Sequence, residues 1–164
     1  MKKIIKALLP PALIIKIKNM LYFAQGNVIV NFAGVDLLAP KKHILLRLDE
    51  ENLHTRDHCI GVAAKFATEG FPDANIVDVG ANIGDTAAII SEYCSNDLVL
   101  VEASKYFFKY LESNVAGIPN KCQCVNAFIY DGNQSNGTLV HWGGTAYYDS
   151  SSLSAKGFET LTLD

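Results

Sequence analysis

The chain has 164 residues, 49% of them hydrophobic, and a formal net charge of −3. That length suits one domain with a sizeable core, and the acidic balance argues against a general nucleic-acid binder. The charge is uneven, because Lys2, Lys3, Lys6, Lys16 and Lys18 all precede the first acid, Asp36.

Residues 1–25 read as a basic, apolar leader interrupted by Pro10-Pro11. Beyond it, Leu13, Ile14, Ile17, Met20 and Leu21 recur at helical spacing. Such a helix either packs on the domain with its lysines in water or lies on an anionic membrane surface. Lysines and prolines break the apolar stretch, and no small-x-small cleavage site follows, so it makes a poor secretory signal. No run approaches the roughly 18 apolar residues of a membrane span. The expected location is the cytoplasm, with residues 1–21 as the candidate for peripheral contact at the inner face of the membrane.

Residues 28–38 alternate around Ala33-Gly34, the pattern of a β-hairpin. A helix is predicted over 55–68, ended by Gly70 and Pro72. A βαβ core comes next: a strand at 76–79, a helix at 82–93, a strand at 98–101, a helix at 104–116 and a strand at 122–129. Phe107, Phe108, Leu111 and Val115 share one face of the second of these helices and belong to a core. Asp131-Gly132 and Asn136-Gly137 then mark turns, and Ser150-Ser151-Ser152 a loop. Short strands near 138–142, 145–148 and 158–163 form a β-excursion. Trp142, Tyr147 and Tyr148 on it either line an acceptor site or make cross-strand packing. Cys59, Cys94, Cys122 and Cys124 form no C-x-x-C pair and have no histidine at ligand spacing. They read as buried free thiols in a reducing compartment, with no metal centre expected.

The chemistry concentrates at Ile76-Val77-Asp78-Val79-Gly80-Ala81-Asn82-Ile83-Gly84-Asp85 and at Val99-Leu100-Val101-Glu102. An apolar strand enters a tight turn, a helix starts, and a second strand ends on a carboxylate. Glu102 lies 22 positions after Gly80, close to the roughly 20-residue offset of a nucleotide-binding βαβ unit. Gly80 and Gly84 remove Cβ atoms where the chain turns and a ligand approaches. N–H groups at the helix start can hold an anion, and Glu102 can accept hydrogen bonds from ribose hydroxyls. Asp78 would repel a pyrophosphate.

The run Asp78-x-Gly80-x-Asn82-x-Gly84 looks like the D-x-G-x-G-x-G loop of S-adenosylmethionine-dependent methyltransferases, with asparagine in place of the middle glycine. The whole segment Asp78–Asp85 resembles the signature loop of the FkbM-type methyltransferase family. Glu102-Ala103-Ser104 with Phe108, Leu111 and Asn114 resembles that family's second strand and the helix after it. Val125-Asn126-Ala127 resembles its third strand end. Gly143–Ala146 and Thr160–Asp164 resemble its later hairpin and the approach to its fourth strand. The resemblance spans roughly residues 55 to 164.

It implies an α/β chain with a Rossmann-like class I methyltransferase fold, a three-layer αβα sandwich cut off before the fourth sheet strand. Residues 1–54 would be a basic helix and hairpin extension, and residues 55–164 the cofactor-binding part. Ile76–Val79 would then have an unpaired edge. The implied cofactor is S-adenosylmethionine, held by Asp78, Gly80, Ala81, Asn82, Gly84, Asp85, Glu102 and Ala103, with Asn126 and Ala127 flanking the adenine. The implied reaction is O-methylation of a sugar or other small hydroxyl acceptor. No base is assigned: His141 qualifies by chemistry alone and reads rather as a surface or turn histidine. Two other readings stay open, a nicotinamide-dependent Rossmann enzyme and a non-catalytic interaction module or remnant.

Overall fold

The computed structural model describes residues 13, 26–47, 58–129, 138–142, 144–149 and 159–161. The leader, the turns at 131–132 and 136–137 and the serine run at 150–152 lie outside those residues, apart from Leu13, which is helical and exposed.

Strands β1 (Asn27–Phe32) and β2 (Val35–Pro40) form the expected antiparallel hairpin, with Phe32 opposite Val35. Ala33 and Gly34 both have positive φ, 49° and 70°, the turn hand that matches the twist of paired strands. The inward residues Phe32, Val35, Leu37 and Ala39 belong to the same core cluster as Leu98, Leu100, Phe107 and Leu111, so the hairpin shares one core with the βαβ elements. A 3₁₀ turn at Ile44–Arg47 comes next. Helix α1 (His58–Gly70) packs on α2 (Asp85–Tyr93).

β3 (Ile76–Val79), β4 (Leu98–Val101) and β5 (Cys122–Val125) form a parallel sheet in the order β3-β4-β5. Ile76 pairs with Leu98, and Leu98 with Cys122. Alternation therefore puts Ile76, Asp78, Leu98, Leu100, Cys122 and Cys124 on one face. Leu98 and Leu100 are buried there with Ala87, Ile90, Phe107 and Leu111 from α2 and α3 (Lys105–Asn114). The opposite face carries Val77, Val79, Val99 and Val101. Val77 and Val79 are 57% and 60% exposed, and among the described residues β3 pairs only with β4. The described part is thus a mixed α/β structure whose helices cover one face of a parallel sheet.

Four boundaries differ from the sequence expectation. The helix predicted from 82 starts at Asp85, because Asn82 (φ 51°) and Gly84 (φ 95°) adopt left-handed backbone that a right-handed helix cannot include. The helix predicted over 104–116 runs 105–114 and tightens into a 3₁₀ turn at Val115–Gly117. Ser104 is its N-cap and accepts from Phe107 N. The helix predicted over 55–68 is described from His58 and extends to Gly70. The strand predicted over 122–129 breaks at Asn126, and β6 (Ala127–Ile129) leaves the sheet to pair in parallel with β9 (Glu159–Leu161). β7 (Thr138–Trp142) and β8 (Thr145–Asp149) form a second antiparallel hairpin. The thiols also depart from expectation. Cys59 is exposed on α1, and Cys94, Cys122 and Cys124 are half-buried free thiols.

Candidate functional site

The carboxyl ends of β3 and β4 open on a cleft of about 180 Å³. Val79, Gly80, Val101, Glu102, Ala103 and Ala127 form its floor, and Phe128, Leu139, Ala146 and Tyr148 form its outer wall. Four of the predicted cofactor residues, Gly80, Glu102, Ala103 and Ala127, therefore meet in one place. Ligand sites of open parallel sheets lie at this end of the strands.

Gly80 has φ 88°, and a Cβ built on it would find nothing within 4 Å. Its bare backbone is thus a place of approach and not of tight packing. Gly84, with φ 95°, is different: a Cβ there would meet Leu111 and Ile118 at 3.3 and 3.6 Å. It lets the loop descend onto α3.

Glu102 is only 6% exposed, and both of its oxygens are held. Oε1 accepts from Ser104 N at 2.6 Å and Oε2 from Asn82 N at 2.9 Å. A carboxylate has about four acceptor positions, so each oxygen keeps room for a ligand hydroxyl. Burial pushes its pKa up, the two N–H donors oppose this, and the neighbouring charge of Asp78 adds to the rise. Asp78 is likewise raised by burial. Its Oδ2 is buried and accepts no hydrogen bond among the described residues. Asp78 shares the helix-covered face with Leu100 and is not part of the cleft lining.

The remaining predicted residues shape the loop from within. The N–H groups of Gly80 and Ala81 both donate to Val101 O, at 2.8 and 3.0 Å, and that of Gly84 to Ala81 O at 2.8 Å. With Asn82 N given to Glu102, four loop donors are committed within the protein, among them Asn82 and Gly84 of the predicted helix start. For Gly80 and Ala81 the cause is the parallel ladder, which continues beyond the strand end. Asp85 opens α2, where its charge suits the helix N-terminus. Asn126 Nδ2 donates to Glu102 O at 2.7 Å and Glu102 N to Val125 O at 3.0 Å, which fixes the end of β4 against β5. Asn114 is buried and clamps three backbone groups. It accepts from Leu38 N at 2.8 Å and donates to Leu38 O at 3.0 Å and Ile83 O at 2.7 Å.

His141 is neither a surface nor a turn residue. It lies buried on β7, and its Nε2 shares a 2.6 Å hydrogen bond with Ser104 Oγ. Burial pushes its pKa down to about 4. Of the three excursion aromatics, Tyr148 reaches the cleft and stacks on Phe128 at 5.2 Å between ring centroids, whereas Tyr147 is exposed. The side chain of Trp142 lies outside the described residues.

Sequence reasoning missed His43, Phe128 and Leu139, and it placed Gly144 on a hairpin without a role at the site. His43 is fully buried, accepts from Leu45 N at Nδ1 (3.4 Å) and meets Asn82 Oδ1 through Nε2 at 3.3 Å. No local pattern marks it. Ser104 did carry a signal, since a serine immediately before an apolar helical run is an N-cap signature.

Against known proteins, no family model matches the chain, and no curated protein matches it in sequence. Among solved structures, it is similar to a protein from Pyrococcus horikoshii called a putative transferase, at 16% identity and a TM-score of 0.42. The match covers 67% of this chain and 45% of that protein, so the chain spans less than half the length of its structural neighbour. Among the described residues, no group of three histidines, cysteines or acids could hold a metal, and no helix is long and apolar enough to cross a membrane.

Proposed function

We propose that the cleft binds S-adenosylmethionine and that the chain is the cofactor-binding part of a Rossmann-like class I methyltransferase of the FkbM type, acting on a hydroxyl of a sugar or other small acceptor. The observation that carries this reading is the placement of Glu102. Its buried carboxylate, oriented by two backbone N–H groups, stands at the strand end beside the bare Gly80 backbone. That is the geometry a ribose diol needs.

The fit extends to the rest of the ligand. Asp78 lies behind the cleft on the helix-covered face and does not line it, but it is close enough to Glu102 for their charges to interact. Two neighbouring carboxylates favour a cationic ligand and repel a pyrophosphate. That counts against the nicotinamide reading. The stacked Phe128 and Tyr148 supply an apolar wall for a flat heterocycle.

S-adenosylmethionine supplies the electrophilic methyl group. This chain's residues would bind and orient it: Glu102 would hold the ribose, Phe128 and Tyr148 would flank a flat ring, and Asp78 would act by its charge from behind the cleft. His141 is engaged with Ser104 and is absent from the cleft lining, so the acceptor's proton is not assigned to it.

Calorimetric titration of the 164-residue chain with S-adenosylhomocysteine, with NAD as control, tests the reading. Saturable binding of the first alone is expected, and it should be lost in Glu102→Ala. Binding of NAD alone, or unchanged affinity in a folded Glu102→Ala chain, would overturn it.

A further inference from the structure

Hydrogen bonds around Glu102 form a closed circuit that includes the β7–β8 hairpin. Oε1 of Glu102 accepts from Ser104 N, and Ser104 Oγ bonds His141 Nε2 on β7. Three residues further along, Gly144 O accepts from Asn82 Nδ2 at 2.8 Å. Asn82 N then returns to Oε2 of the same glutamate. The hairpin is thus fastened at two points, and each fastening residue also holds one oxygen of the cleft carboxylate.

The circuit is built into the fold. Ser104 is 1% exposed, and His141 packs edge-on against Tyr106 and beside Phe107. Gly144 has φ 98°, and a Cβ on it would lie 2.5 Å from Ile44 N and 3.1 Å from the His43 Cα. The turn therefore presses directly on the backbone just after β2. Asn82 is held on its other side by His43. Beyond these latches, the same hairpin presents Leu139, Ala146 and Tyr148 to the cleft.

We propose that Asn82, Ser104 and His141 are positioning residues that act through Glu102. They tie the orientation of the ribose-binding carboxylate to the docking of the hairpin that forms the outer wall. None of the three is part of the cleft lining, so their influence on a ligand is indirect. The ligand named in the test rests on the methyltransferase reading, whereas the coupling itself does not. By reciprocity, whatever engages Glu102 tightens the hairpin, and whatever frees the hairpin loosens the carboxylate.

The test is amide hydrogen exchange on the full 164-residue chain, read at β7 and β8 and, as a reference, at α1. Glu102→Ala should raise exchange in the hairpin roughly tenfold and leave α1 unchanged. Asn82→Gly is the second variant. Glycine accepts the left-handed backbone without strain and keeps the N–H to Glu102, so only the bonds to Gly144 and His43 are lost. It too should free the hairpin, and its effect should be less than additive with that of Glu102→Ala. S-adenosylhomocysteine should slow hairpin exchange in the parent chain and fail to do so in Asn82→Gly and His141→Phe, a change that a purely structural role would not produce. Unaltered hairpin exchange in both Glu102→Ala and Asn82→Gly, or strictly additive effects, would overturn the proposal. Absence of S-adenosylhomocysteine binding to the parent chain would count against the cofactor reading alone, because the exchange of the unliganded variants still decides the coupling.

Discussion

Asp78 and His141 are each held in an unfavourable charge environment, and each yields a test. A buried carboxylate oxygen lacking a hydrogen bond among the described residues costs about 1–3 kcal/mol. Asp78→Asn keeps a polar atom there but removes the buried charge, and should on that account stabilise the chain near neutral pH, raising the thermal midpoint by roughly 2–4 °C per kcal/mol recovered, while weakening a cationic ligand. Thermal melts paired with calorimetry check both halves, and a lower midpoint would contradict the account. For His141 the folded pKa, about 4, lies below the ordinary value of 6.5. Its contribution is therefore complete above about pH 6.5 and is lost as the pH falls towards 4. Asp78 and Glu102 have raised pKa values and act in the opposite sense, since acidification relieves their buried charge. Urea midpoints tracked from pH 7 to 4 should fall more steeply in the parent chain than in His141→Phe, which removes the histidine titration.

The loops between elements are governed by glycines of two kinds. Gly80 and Gly144 have similar φ values, 88° and 98°, yet different surroundings. Alanine at either position carries the left-handed strain of about 1–2 kcal/mol. At Gly80 that should be the whole stability cost, and ligand affinity should suffer because the new methyl enters the approach to the backbone. Gly144→Ala should cost clearly more and free the hairpin, since its Cβ would meet backbone atoms of Ile44 and His43 that cannot move aside. Denaturant midpoints for the two variants rank them, and equal costs would refute the distinction. Much at this scale is legible in the sequence. The Ala33-Gly34 turn, β3 and β4 all arise from local pattern. Where the pattern fails, at Asn82 and Asn126, a side chain makes tertiary bonds that local sequence does not display: Asn82 to Gly144 and His43, Asn126 to Glu102.

Across the molecule, one core joins both hairpin β1–β2 and the parallel sheet through α2 and α3. Phe107 sits at its centre, fully buried against His43 and His141. Phe107→Ala should cost about 3–5 kcal/mol and should weaken both hairpins together, as hydrogen exchange would reveal. The opposite sheet face behaves differently. Val77 is already largely exposed, so Val77→Lys should change stability by no more than about 0.5 kcal/mol. A cost of several kcal/mol in chemical denaturation would show that this face is covered.

Local sequence was enough to define the parallel βαβ unit, the glycine loop and the carboxylate at the end of β4, because strand alternation, turn chemistry and helix periodicity are short-range properties. It also marked Gly80 and Glu102, and the family resemblance added Ala103 and Ala127; the four meet in the cleft. Three outcomes needed the folded chain: the loop's N–H groups turn inward, His141 is buried against Ser104, and Phe128 and Tyr148 close the site. The last two depend on where a second hairpin lands, far along the chain from the loop it meets. Long-range packing and the need to satisfy buried polar groups set that position, and neither leaves a periodic trace in the sequence.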